Sequence, residues 1–132
     1  MGYIDLDDKC SETYNKNNAP AKFMHADIRS FQPEDLFSLA PELLENPNDF
    51  LFAGCAPCQS YSQQRKSKTL RPDATVLGDF GRLVEKCLPG HVLVENVPGI
   101  AKVKGFSIFK RFLSTLDRNG YSYKWGIINA KH

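Results

Sequence analysis

Apolar residues along this chain fall into two rhythms. Five short runs, "GYIDL", "KFMHADI", "DFLFAG", "HVLVENV" and "YSYKWGIINA", have the length and the β-branched or aromatic content of strands. Between them, apolar positions recur every three or four residues. Val76, Leu77, Phe80, Leu83, Val84 and Cys87 predict one helix with a single apolar face, and Ile108, Phe109, Phe112, Leu113 and Leu116 predict another. Asp7 or Asp8 is placed to cap a helix reaching about Asn17, where "NKNNAP" stops it. Pro33 suits the first turn of a short helix, "PEDLFSLA", and Gly120 suits the end of the last one. "DFLFAG" and "HVLVENV" read as strands buried on both faces. A polar loop is expected from about Gln59 to Asp73.

Strands alternating with helices predict an α/β fold with a mainly parallel sheet. Such sheets bind ligands beyond the carboxyl ends of their strands. Chemistry is therefore expected at Asp5 and Asp7, at Asp27, at Cys55 to Gln59, and at Glu95 and Asn96. The 132 residues, 42% of them hydrophobic, suit one modest domain. A net charge of +2 points globally to neither nucleic acid nor membrane. No run has the layout of a signal peptide or the length of a membrane span. Four cysteines without a secretory leader predict free thiols in a reducing compartment, the cytoplasm of a bacterium or a eukaryotic nucleus.

The C-x-x-C pair Cys55 and Cys58 admits three chemistries. Structural zinc wants four ligands, and here there is one pair. Cys10 and Cys87 fall in helical segments, and His25, His91 and His132 form no ligand spacing, so no metal is expected. A thioredoxin-like dithiol would open a helix whose dipole acidifies the first thiol. Yet "QSYSQQRKSK" makes a poor apolar-faced helix, and no Trp precedes Cys55. The third possibility is a lone nucleophile, Cys58, at a turn after a strand.

"PCQ" at Pro57–Gln59 resembles the catalytic motif of the DNA cytosine-5 methyltransferases, and "ENVPG" at Glu95–Gly99 resembles that family's second catalytic motif. "YIDLDDKCSETYNKNN" is similar to the family's cofactor-ribose segment, "HADIR" to its adenine segment, and "GYSYKWGIINA" to the strand before its next motif. The five segments stand in family order over nearly the whole chain. The resemblance implies a Rossmann-like, S-adenosylmethionine-dependent methyltransferase sheet. It implies methyl transfer to C5 of cytosine through a covalent cysteine adduct, as in restriction–modification. On this reading Cys55 is a bystander, and a thioredoxin-like redox protein using Cys55 and Cys58 remains the alternative.

The resemblance assigns Cys58 as nucleophile and Glu95 as the acid that meets the ring nitrogen. It assigns cofactor contacts to Asp5 and Leu6 at the ribose, to Asp27 and Ile28 at the adenine, and to Pro57. Gln59, Ser62, Asn96, Arg65 and Lys66 fall to the substrate. The partner implied is double-stranded DNA, from which the base must be flipped, and "RKSKTLR" places four positive charges beside the nucleophile for phosphates. Residues 1–132 are expected to form a partial catalytic domain. The family's first strand and glycine-rich loop, its arginine pair and its target-recognition domain are not in the sequence. The first strand would lie between the strand ending at Asp5 and "DFLFAG", so those two are not expected to pair directly. The chain alone is expected to be inactive unless a complementing chain supplies the missing parts.

Overall fold

The computed structural model describes residues 2–57, 75–101 and 106–129. Strand β1 (Gly2–Asp5) runs parallel to β2 (Lys22–His25), with Tyr3 opposite Phe23 and Asp5 opposite His25. The crossover begins where the Asp7 carboxylate accepts the Lys9 N–H at 3.1 Å, opening a 3-10 turn at Asp8–Cys10 that leads into α1 (Ser11–Asn17). Tyr14 of α1 stacks on Tyr3 with ring centres 4.7 Å apart, and Phe23 lies 5.7 and 6.2 Å from the two. Three aromatic rings thus tie α1 to both strands. In α2 (Pro33–Leu39), Pro33 stands in the first turn and the Asp35 carboxylate accepts the Gln32 N–H at 2.8 Å, half of a capping box. A short α3 (Glu42–Glu45) follows, anchored by buried Leu43.

The second ladder pairs β3 (Leu51–Cys55) with β4 (His91–Glu95), also parallel, from Leu51 opposite His91 to Cys55 opposite Glu95. Helices α4 (Val76–Cys87) and α5 (Phe106–Arg118) pack on each other and cover one face of it. Leu77, Phe80, Val84, Ile100, Phe112 and Leu116 form the buried centre, joined by Phe52, Val92 and Val94 from the strands. Gly54 admits this packing, because a Cβ there would stand 3.0 Å from the Phe80 ring. Helix α4 ends at Leu88 with φ at +47°, and Gly120 turns the chain after α5 with φ at +78°.

Among the described residues the two ladders are separate sheets of two strands each, and β1 does not pair with β3. Arg82 of α4 reaches from one ladder's layer to the other, donating from Nη2 to the carbonyls of Ile28 at 3.0 Å and Phe31 at 2.8 Å.

Two expectations are corrected. Burial alternates along β3 and β4 instead of covering both faces: Phe52, Gly54, Val92 and Val94 turn inward, while Leu51, at 56% exposure, and Leu93, at 59%, stand on the open face. Among the described residues, helices cover that sheet on one side, and an apolar run does not report whether a second layer is present. The run "YSYKWGIINA" is not a strand over 121–129. A strand exists through its ladder, and among the described residues β4 pairs with β3 alone. Trp125 instead meets the edge of Phe109 at 5.1 Å, and Ile128 is 91% exposed.

Candidate active site

The carboxyl ends of β3 and β4 bring the expected catalytic segments together. Cys55 and Glu95 close the ladder as its last pair, and the Cys55 thiol donates to Glu95 Oε2 with Sγ 3.0 Å away. One residue on, Asn96 Nδ2 donates to the Ala56 carbonyl at 2.9 Å, and Asn96 Oδ1 accepts the Val97 N–H at 3.0 Å. The side chain expected at the substrate therefore clamps the end of β4 to the segment that leads through exposed Pro57 towards Cys58. Beyond Asn96, a 3-10 turn at Pro98–Ala101 buries Ile100 in the core and fixes the exit from the strand. Glu95 stands exposed on the open face of the sheet, where a ligand has access. Cys58, Gln59, Ser62, Arg65 and Lys66 lie outside the described residues.

The ends of β1 and β2 carry the other expected group. Asp5 Oδ1 accepts the Asp7 N–H at 2.9 Å, and Oδ2 accepts the Tyr3 hydroxyl at 2.7 Å. The Asp7 amide, then the Tyr3 hydroxyl, hold the Asp5 carboxyl below the ordinary carboxylate range. Conversely the Asp5 acceptor, followed by burial, pushes the Tyr3 hydroxyl up to about 12. The Leu6 side chain is exposed, and its carbonyl lies 2.9 Å from His25 Nε2. Asp27 is bound by the Arg29 side chain and accepts the Arg29 N–H at 3.0 Å, which brings its carboxyl down to about 2. Ile28 packs half-buried against the core with its carbonyl on Arg82. Beside Asp27, an open groove of about 400 Å³ runs between β2 and α2, lined by Met24, Ala26, Phe31 and Leu39.

Two residues and one contact at these sites were not singled out from the sequence. Arg82 stands in "FGRLV", a charge inside an apolar-periodic helix, which signals a partner waiting inside. Tyr3 is two residues from Asp5 on one strand and so shares its face. The Cys55–Glu95 contact depends on the register of two strands forty residues apart, which no local pattern encodes. Among the described residues, no group of three or more His, Cys, Asp or Glu could hold a metal. No described helix is long and apolar enough to cross a membrane.

The sequence model of the C-5 cytosine-specific DNA methylases matches residues 1–132. The chain belongs to this family. Among its relatives, the Type II methylase M.HgiDII of Herpetosiphon aurantiacus is 29% identical over 127 residues, covering 96% of the chain and 34% of the relative. The Type II methyltransferase M1.BsuMI of Bacillus subtilis (strain 168) is 32% identical over 136 residues, covering 96% and 31%. The chain thus spans about a third of the length of these curated relatives. In fold, it resembles the crystal structure of a prophage-encoded protein from E. coli assigned as a DNA modification methyltransferase. The TM-score is 0.69 at 21% identity, covering 89% of this chain and 31% of that one. That likeness places the parallel ladders in an incomplete Rossmann-like fold. The thioredoxin-like alternative loses its footing. The family match is the better description, and among the described residues Cys55 closes a strand, its thiol donating to Glu95.

Proposed function

We propose that this chain carries the covalent centre of an enzyme that transfers a methyl group from S-adenosylmethionine to C5 of cytosine in DNA. The observation that supports this most is the convergence of Glu95 and the run into Cys58 at one end of a parallel ladder, held there by the Asn96–Ala56 hydrogen bond.

The chemistry explains why both residues are needed. C5 of cytosine is too weakly nucleophilic to accept a methyl group. The Cys58 thiolate adds to C6, forming a C–S bond and pushing electron density through the ring, while Glu95 delivers a proton to the ring nitrogen where charge accumulates. C5 then has enamine character and takes the methyl group. Loss of the C5 proton to a base expels the Cys58 thiolate and restores the aromatic ring. Glu95 recovers its proton from the ring nitrogen in the same step.

S-adenosylmethionine, when bound, supplies the methyl group as an electrophile on a sulfonium centre. The donor set at Asp5 fits its ribose. The carboxylate stands at a strand end, Oδ1 accepting the Asp7 N–H and Oδ2 the Tyr3 hydroxyl, and its remaining acceptor capacity would suit a vicinal diol. At Asp27 the fit is narrower. Arg29 engages both carboxylate oxygens, so an adenine amino group would meet only what that fork leaves open. Leu6, Ile28 and Pro57 would flank the nucleoside. DNA is the substrate that explains the basic run "RKSKTLR" next to the nucleophile, with Arg65 and Lys66 at phosphates and Gln59 and Ser62 near the flipped base.

The test uses a protein of the relatives' full length that carries these residues. Incubated with duplex DNA and S-adenosylmethionine labelled on its methyl group, it is expected to place the label on C5 of cytosine. Label on N4 of cytosine or on adenine would overturn the assignment.

A further inference from the structure

We propose that Cys55 is a positioning residue for Glu95, its thiol holding one carboxylate oxygen so that the other faces the base. The inference rests on the reading of Glu95 given above.

The geometry comes from the sheet. Cys55 and Glu95 are direct partners in a parallel ladder, so their side chains leave the same face side by side. The thiol donates to Oε2 at 3.0 Å, a contact short for sulfur. Both residues are at the end of their strands, one step before the Asn96–Ala56 clamp. An exposed glutamate side chain has three torsions to lose before it acts. A donor fixed by the neighbouring strand removes much of that freedom and distinguishes the two oxygens. Oε2 is occupied by the thiol, and Oε1 is left to carry the proton to the ring nitrogen. A thiol suits the task because it is a weak donor. It orients the carboxyl group without competing strongly for the electron density that the proton needs.

Packing and hydrogen bonding make opposite demands at this position, and substitution separates them. In the full-length protein, Cys55→Ala is expected to lower kcat about three- to tenfold, the worth of one hydrogen bond, with KM for DNA within about twofold of the unaltered enzyme. Cys55→Ser, which keeps a donor, restores kcat. Cys55→Val, which fills the space without a donor, does not. Rescue by valine with failure of serine, or full activity of the alanine variant, would overturn the inference. Glu95→Gln is the control for the underlying reading. If it retains turnover, the role given to Glu95 fails. If it is inactive while all three Cys55 variants match the unaltered enzyme, only the role of Cys55 fails.

The contact itself is read without catalysis. In the 132-residue chain, a carboxylate beside a thiol suppresses the thiolate, so Glu95→Gln should speed iodoacetamide labelling of Cys55 severalfold, located by tandem mass spectrometry. An unchanged rate would mean that the thiol and carboxylate are apart in solution, and the proposal falls.

Discussion

Asn96 Nδ2 donates to the Ala56 carbonyl across 2.9 Å, joining the end of β4 to the residue that precedes Pro57 and Cys58. The same side chain accepts the Val97 N–H, so its carboxamide is used at both ends. Asn96→Ala removes the donor from a half-buried carbonyl, and about 1 kcal/mol of stability should go with it. A thermal melt of the 132-residue chain should fall by roughly 3–5 °C. Asn96→Asp, which loses the donor but keeps the acceptor for the Val97 N–H, should lower the melt as well. A melt unchanged by both would show that the clamp contributes nothing.

Arg82 bridges α4 to the segment after β2 through the carbonyls of Ile28 and Phe31. Charge-assisted bonds of this kind are the stronger ones, and a methionine of similar length leaves two carbonyls without that donor. Arg82→Met should cost about 2 kcal/mol in urea unfolding. Amide exchange should quicken at Ser30 and Phe31, whose N–H groups both donate to the Asp27 carbonyl. Arg82→Lys should rescue at most in part, since both bonds leave the one nitrogen Nη2 and the shorter lysine side chain does not carry its ammonium to that point. Exchange that stays slow at both amides would contradict the bridge.

Gly54 faces Phe80 so closely that a methyl group would stand 3.0 Å from the ring. Phe80 is buried between Gly54 and Phe112, so its ring has little room to retreat. Gly54→Ala should destabilise by about 1–3 kcal/mol through overpacking. Gly78→Ala, in the same region but with nothing within 4 Å of the added Cβ, should stabilise or leave the melt unchanged. Equal effects at the two glycines would refute the packing argument.

Asp27 gives a pH dependence whose sign is fixed. Its carboxyl is held at about 2 against an ordinary 3.8, first by the Arg29 side chain and then by the Arg29 amide. A folded value below the unfolded one stabilises the fold above the ordinary range, and that contribution disappears as the pH falls from about 3.8 through about 2. Asp27 is on the surface, so the clean readout is its own titration. In a carbon-13 carboxyl experiment, Arg29→Gln should move the Asp27 midpoint upward, part of the way back, because the amide donor remains. No movement would exclude the side chain as the leading cause.

Much of this architecture was legible because it is local. The apolar spacing of Val76 to Cys87 marks α4 at its observed bounds, and Pro33 and Asp7 mark their helix starts by capping chemistry. What failed depends on neighbours. Whether Leu51 and Leu93 are covered is decided by a second layer, and whether residues 121–129 form a strand is decided by a ladder partner. The same distinction runs through the site. Asp5, Asp27 and Glu95 could be placed at strand ends from the pattern alone. The partners that orient them come from other elements or through register, as with Cys55 beside Glu95 and Arg82 beneath Ile28.

The most direct measurement of the covalent mechanism is to trap it. Duplex DNA carrying 5-fluorocytosine in the target site offers no C5 proton to lose, so the thiolate cannot be expelled and the C6–S bond persists. Full-length protein, this DNA and S-adenosylmethionine should yield a denaturation-resistant complex, and peptide mapping should place the DNA on Cys58. Cys58→Ser should give none, while Cys55→Ser should still give it. A DNA adduct mapped to Cys55, or methyl transfer proceeding in the Cys58→Ser protein, would contradict the account.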